Sequence, residues 1–292
     1  MHALKLFLSH PLYTSTYSAL ILAILSFWIY RRTFIWASLI IASIGLALIA
    51  KIISPPALIP IAFLAACHFC LRSQIQGFLR AILISVAGIL SLGLMLHLFP
   101  GFNNWLIVKS MQISPDGIPY TLYFNYDKPF IGIFILAAGL PLLSTLKQNF
   151  AAICLWSGIT IITMLVLSRF FSIVHFDPKL PSITVPWIIA NFFLVCIPEE
   201  VFWRGFLQRE ITNSLQSKTK WAPYIAIGIL SAIFALMHLA FVFQVRYIIL
   251  AFCASVLYGL TYHYTKSVEG AIAAHFLLNA TQFFFFTYPA LA

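Results

Sequence analysis

CIPEEVFWRGFLQRE, Cys196 to Glu210, sets two adjacent glutamates and an arginine inside a run of apolar residues. Immediately before it, PWIIANFFLV (186–195) carries Asn191 as its one polar side chain. If this run lies in lipid, each of its charges is costly and marks a functional position by default. Whether it does depends on the rest of the chain.

The rest of the chain is equally apolar. Of 292 residues, 62% are hydrophobic and 8% charged, and the mean hydropathy is +0.99. A soluble domain needs far more polar surface, so lipid is the solvent for most of this chain. The 17 Lys and Arg outnumber the 7 Asp and Glu, for a net charge of +10. The basic residues fall mostly as singles between apolar runs, as loop charges that set membrane topology do, and not as a nucleic-acid patch. No nucleic-acid partner is expected. Cys67, Cys70, Cys154, Cys196 and Cys253 all sit in apolar runs. Cys67 and Cys70 do read C-x-x-C, but no second ligand pair lies near them, so they are read as small apolar residues one helical turn apart. The N-terminus, MHALKLFLSHPLYTSTY, lacks the order of a cleavable signal and is expected to be retained.

Apolar runs of about 20 residues predict an all-α polytopic transmembrane helix bundle of about ten spans (eight to ten). They fall near 14–30, 34–53, 56–71, 81–99, 129–144, 151–171, 186–211, 222–242, 247–264 and 268–288. The third and fifth are short enough to be re-entrant or interfacial. A polar break over 100–128, rich in Pro, Gly, Asn and Asp, predicts a structured loop or short amphipathic element. It divides an N-terminal transmembrane region of unassigned role, 1–128, from a C-terminal region, 129–292. With alternating spans, Arg31, Arg32, Arg72, Arg80, Lys147, Arg209, Lys218, Lys220 and Lys266 share one side. Lys5, Lys51, Lys109, Lys128, Lys179 and Arg246 share the other. The positive-inside rule then makes the first side cytoplasmic and puts both termini outside.

In the last third of the chain the polar residues at membrane depth are few and chemically complementary. Glu199, Glu200 and Arg204 share one span, His238 ends the next in IFALMHLAF, and His275 and Asn279 share the last in AIAAHFLLNA. Glu200 and Arg204, like His275 and Asn279, are four apart and lie on one helix face. Three helices thus offer groups that can meet in one cavity, provided the Glu199 helix continues through Trp203 and Phe206 to about residue 211. A partly dehydrated carboxylate and an imidazole are suited to polarise water there.

The ordered set Glu199-Glu200-x-x-x-Arg204, Phe234-x-x-x-His238 and His275-x-x-x-Asn279 resembles the CPBP family, also called Abi. These are CAAX-protease and bacteriocin-processing intramembrane proteases, with the type II CAAX prenyl endopeptidase as a eukaryotic relative. The resemblance covers roughly 190–285. It implies that Glu199 and His238 bind and deprotonate the attacking water, that His275 and Asn279 stabilise the oxyanion, and that Glu200 and Arg204 support the first helix. It also implies hydrolysis of peptide bonds in a membrane-associated protein or peptide, by an integral protein of the bacterial inner (cytoplasmic) membrane. Family members are often labelled metalloproteases, and Glu199, His238 and His275 would be the ligands of a divalent metal such as zinc. H-E-x-x-H is absent, so no cofactor is expected to be required.

Other readings stand beside this one. One is a buried ion pair of the glutamates with Arg204 that only locks helices. Another makes the Glu/His set the proton relay of an ion-coupled transporter, and a third makes the chain a non-catalytic immunity or scaffold protein retaining the fold. His68, His97 and His263 are expected to be hydrogen-bonded core or interfacial residues, and Phe283–Phe286 an interfacial anchor. Asn191 and Gln282 are polar at depth without an assigned role. Lys266 and Glu269 are expected to be solvated at a turn.

Overall fold

In hydrocarbon every backbone N–H and C=O must be satisfied within the chain, which leaves helices as the spanning element for sequences of this kind. The computed structural model describes residues 2–73, 75–143, 149–240 and 244–291. Among the described residues the regular elements are helices and one β-hairpin, joined by loops. A short helix α1 (His2–Ser9) leads into α2 (Pro11–Ile29), α3 (Thr33–Ile49), α4 (Leu58–Arg72) and α5 (Gly77–Met95). The hairpin β1 (Trp105–Met111) and β2 (Tyr120–Phe124) follows, then α6 (Pro129–Ala137) and α7 (Phe150–Phe170). The long helix α8 (Thr184–Leu215) precedes α9 (Ala222–Met237), α10 (Val245–Thr265) and α11 (Val268–Phe285).

Among the described residues, six helices are long and apolar enough to cross a membrane: α2, α4 with its preceding 3-10 turn, α5, α7, α8 and α10. The chain is an integral membrane protein. The expected third span is among the six, whereas those over 34–53 and 222–242 are shorter apolar helices, α3 and α9. Over 129–144 the described helix is nine residues long. It ends before Gly139, whose φ of +103° no right-handed helix accommodates. In α11 the apolar surface is interrupted by Glu269, His275, Asn279 and Gln282. Lys147, and the ends of the spans expected over 129–144 and 222–242, lie outside the described residues. The polar break forms the hairpin.

The chain forms two compact units, discontinuous in sequence. The first comprises residues 1–107, 122–141 and 182–202. Its α2–α3 pair buries Tyr17, Leu20, Ile24 and Phe27 and is joined by a buried hydroxyl. Ser43 Oγ donates to the Thr16 carbonyl at 2.9 Å and bonds Tyr126 Oη at 2.8 Å. Such interhelical bonds substitute for the hydrophobic drive that lipid removes. Tyr17 Oη donates to the Phe124 carbonyl at 2.5 Å, and Trp105 packs edge-on against Phe124.

The second unit comprises 108–121, 142–181 and 203–292. Met164 of α7, Leu250, Ala254 and Tyr258 of α10, and Ala274 and Leu278 of α11 form its buried core. Glu269 departs from expectation. It is half-buried, its Oε1 accepting from the Leu143 N–H at 2.9 Å and its Oε2 from Ser267 Oγ at 2.9 Å. Ser267 in turn caps α11 by accepting from the Gly270 N–H. Lys266, in left-handed backbone at φ 52°, is exposed as expected.

The last residues are tied to loops of the same unit. Ile118 N–H donates to the Ala290 carbonyl, Thr287 N–H to His175, and Asp177 N–H to Phe285. Asp177 organises this knot: a hydrogen bond from Ser114 and the charge of Lys179, 3.1 Å away, hold its carboxyl below its ordinary 3.8. A carboxyl whose folded value is depressed adds stability above its ordinary value, and that stability is lost as pH falls through the folded value. Asp177→Asn is therefore expected to lower the thermal unfolding temperature in detergent at pH 7. Wild type and variant converge well below pH 3.8. An equal gap at both pH values would remove the carboxylate from the account.

Candidate active site

Proline decides the local shape of α8. Pro198 has no N–H to give the preceding turn, and its ring crowds the carbonyl four residues back. The helix answers by widening. Residues Ala190–Cys196 form π-helical turns, and the Ile197 N–H reaches the Phe192 carbonyl five residues back. A second π-helical stretch, Val201–Gln208, follows Glu199 and Glu200, and wide turns of this kind occur at functional sites. The helix nevertheless continues to Leu215, past the residue 211 that the motif required. More than half of its apolar window, 56%, is buried, against 22% for α7, so α8 is an interior helix.

In the first unit, α6 packs closely on the Pro198 turn. A Cβ added at Gly132 would lie 3.1 Å from Pro198 Cα, so this approach needs glycine. The contact brings the N-terminus of α6, where Lys128 is followed by Pro129, to the glutamates. Lys128 Nζ lies 3.5 Å from Glu199 Oε1, and the two side chains are 12% and 15% exposed. Asp127 does not compete for this ammonium. Its Oδ1 accepts from the Lys128 N–H at 3.0 Å, and its Oδ2 meets His97 Nδ1 at 2.5 Å. His97 thus has a carboxylate partner. Glu200 is fully buried.

The second unit holds Arg204, His238, His275 and Asn279. Arg204 is fully buried and donates through Nη2 to Ser255 Oγ at 2.8 Å. One turn on, Gln208 Nε2 donates to the Gly259 carbonyl at 3.0 Å. The two side chains therefore clasp one face of α10 at positions four apart. Gly259 makes the approach possible: a Cβ there would lie 2.9 Å from Ile227 Cγ1 and 3.2 Å from Gln208 Oε1. Gly259→Val is expected to cost about 1–3 kcal/mol through overpacking, read as a lower unfolding temperature. An unchanged temperature would mean that α10 shifts freely here.

His238 follows α9 in a 3-10 turn, half-buried between Phe234 and Tyr247. Its Nδ1 lies 2.8 Å from the Phe234 carbonyl, an atom that can only accept. Nδ1 therefore carries the proton, and Nε2 holds the ring's lone pair, the tautomer a proton acceptor needs. Phe234 of the F-x-x-x-H motif supplies this carbonyl, and its ring packs edge-on against Trp203. His275 is buried and stacks on Tyr258 at 4.6 Å, the planes 19° apart. Asn279, half-buried, follows it on the same face of α11.

Residues 181–281 match the family described as type II CAAX prenyl endopeptidase Rce1-like. The chain matches no curated protein and no solved structure. The Rce1-like segment spans Glu199, Glu200, Arg204, His238, His275 and Asn279, and its family is one of CAAX-type peptidases. Among the described residues no three His, Cys, Asp or Glu side chains are grouped so as to hold a metal ion. A cation of the protein already faces Glu199. Outside the Rce1-like segment, Lys128 is the residue that sequence reading passed over, since it counted there only as a topology charge. Its signal is a lone cation at the mouth of an apolar helix.

Proposed function

We propose that this protein is an intramembrane endopeptidase that hydrolyses a peptide bond in a membrane-associated protein or peptide. The observation that carries the reading is that the Rce1-like match includes all six polar residues of the motif set. Glu199 takes a proton from the attacking water as the water oxygen bonds the peptide carbonyl carbon. His238, with its lone pair on Nε2, aligns that water and shares its proton. The carbonyl oxygen becomes an oxyanion, to which His275 and Asn279 donate; donors in such a role are worth about 3–4 kcal/mol each. Collapse breaks the C–N bond, and the proton held by Glu199 leaves with the amine. Water activation here uses the carboxylate and the imidazole, without a metal.

Lys128 contributes from the first unit by holding Glu199 Oε1, which restrains the carboxylate's rotamer. The substrate is a protein or peptide in or on the bilayer, cut near a terminus, and the bacterial inner membrane is the proposed setting. The test compares protein termini in membranes of cells carrying wild type, Glu199→Gln or His238→Ala at equal expression. Termini that appear only with wild type support the reading and name the substrate and cut site. Identical profiles in cells expressing the substrate overturn it.

A further inference from the structure

Far from the glutamates in sequence, the first unit holds a cavity of about 340 Å³ between α3, α4 and α6. Its walls are built from small residues, Ala65, Ala66, Ala137 and Ala138, whose missing side chains leave the space open. Trp36, Phe69 and Phe134 supply aromatic surface. The polar lining is Thr33, His68 and Arg72, with no acid among the lining residues. Thr33 begins α3 and Arg72 ends α4, so the polar groups gather at one end of an apolar slot. That shape and volume suit a small amphipathic ligand with an apolar body and a polar head.

Charge says which head. Residues 1–107 contain no Asp or Glu, and their arginines, Arg31, Arg32, Arg72 and Arg80, share one side in the alternating arrangement. The acids of this unit are Asp127, Glu199 and Glu200. Asp127 is bound to His97 and the Lys128 N–H, Glu199 faces Lys128, and Glu200 is fully buried. Arg72 is exposed at the cavity, and Arg32, also exposed, immediately precedes Thr33. A cationic membrane edge with so few acids in its own unit draws its counter-charge from outside, and in a bilayer the anions at that depth are lipid phosphates. Basic pockets between transmembrane helices hold anionic headgroups on this principle.

We propose that the α3–α4–α6 cavity is a binding site for one anionic phospholipid, an acyl chain lying beside Trp36 and Phe134 and the headgroup phosphate on Arg72. The site is independent of the peptidase reading and is tested without any activity assay. The full chain, purified in mild detergent and stripped of lipid, is titrated with phosphatidylglycerol or phosphatidylcholine and followed by native mass spectrometry. Wild type is expected to retain one phosphatidylglycerol at least ten-fold more readily than phosphatidylcholine. Arg72→Gln lowers that preference to within about two-fold, while Arg72→Lys, which keeps the charge, preserves most of it. Ala66→Phe, which fills the cavity, loses the bound lipid whatever its headgroup. A phosphatidylglycerol acyl-brominated near its middle should quench fluorescence in wild type and less in Trp36→Phe, a readout that does not need the Arg72 variants to fold. Equal retention of both lipids by wild type overturns the proposal, as does undiminished selectivity in Arg72→Gln or quenching indifferent to Trp36.

Discussion

Replacing Glu199 with Gln is expected to lower turnover about 10²–10⁴-fold, the range set by loss of a general base, and to leave the fold intact. Gln has the same shape, and its amide oxygen can still accept from Lys128 Nζ, which lies 3.5 Å from Oε1 in the native protein. What it cannot do is accept a proton from water. The expected result is thus a folded protein that binds substrate and does not cut it. Substrate accumulation in membranes, out of proportion to any fall in the folded fraction as the Lys128 ammonium loses its anion, would show this. A purely helix-locking glutamate behaves in the opposite way, with stability falling and proteolysis falling only as the folded fraction does.

Lys128→Met comes next in size. Removing the ammonium frees the Glu199 carboxylate to rotate, and misplacement of a reacting group by about 1 Å can cost about 10²-fold. A loss of about 10–100-fold in turnover is expected, with little change in the substrate concentration needed for half-saturation. Lys128→Arg restores part of it, because the charge and the reach are kept. The variant should also lose stability, since it leaves a carboxylate that is 15% exposed without its cation. The double variant Lys128→Met/Glu199→Gln separates the two roles: stability returns because no charge is left unpaired, and activity does not. Unchanged turnover in Lys128→Met would reduce the lysine to a structural neighbour.

Much of this molecule is legible in one dimension because lipid imposes simple rules. A run of about 20 apolar residues has few options in hydrocarbon, and α2, α5, α7, α8 and α10 lie close to where hydropathy predicts them. The shortfalls have local causes. Over 129–144 the apolar run is longer than its nine-residue helix, because hydropathy does not register the left-handed backbone at Gly139. In α11 the residues proposed to do chemistry, His275 and Asn279, are among those that interrupt its apolar face. Glu269 looks like a solvated turn residue in sequence, yet the Leu143 N–H and Ser267 Oγ engage it.

The side-chain order is legible too: Glu199, Glu200 and Arg204, then His238, then His275 and Asn279, each in an apolar run where a charge or imidazole is costly. Composition and spacing are enough to establish the membrane class and the polar motif set, while the helix running on past Glu200 is seen in the structure. They cannot name partners, because periodicity reports which face of a helix is polar and not what stands opposite it. The ion pair of Lys128 with Glu199 joins residues 71 positions apart, and the bond of Arg204 to Ser255 joins residues 51 apart. Both depend on close approaches where a glycine, Gly132 or Gly259, leaves a Cβ out. An absent side chain carries no hydropathy signal, so these pairings emerge only when the helices pack.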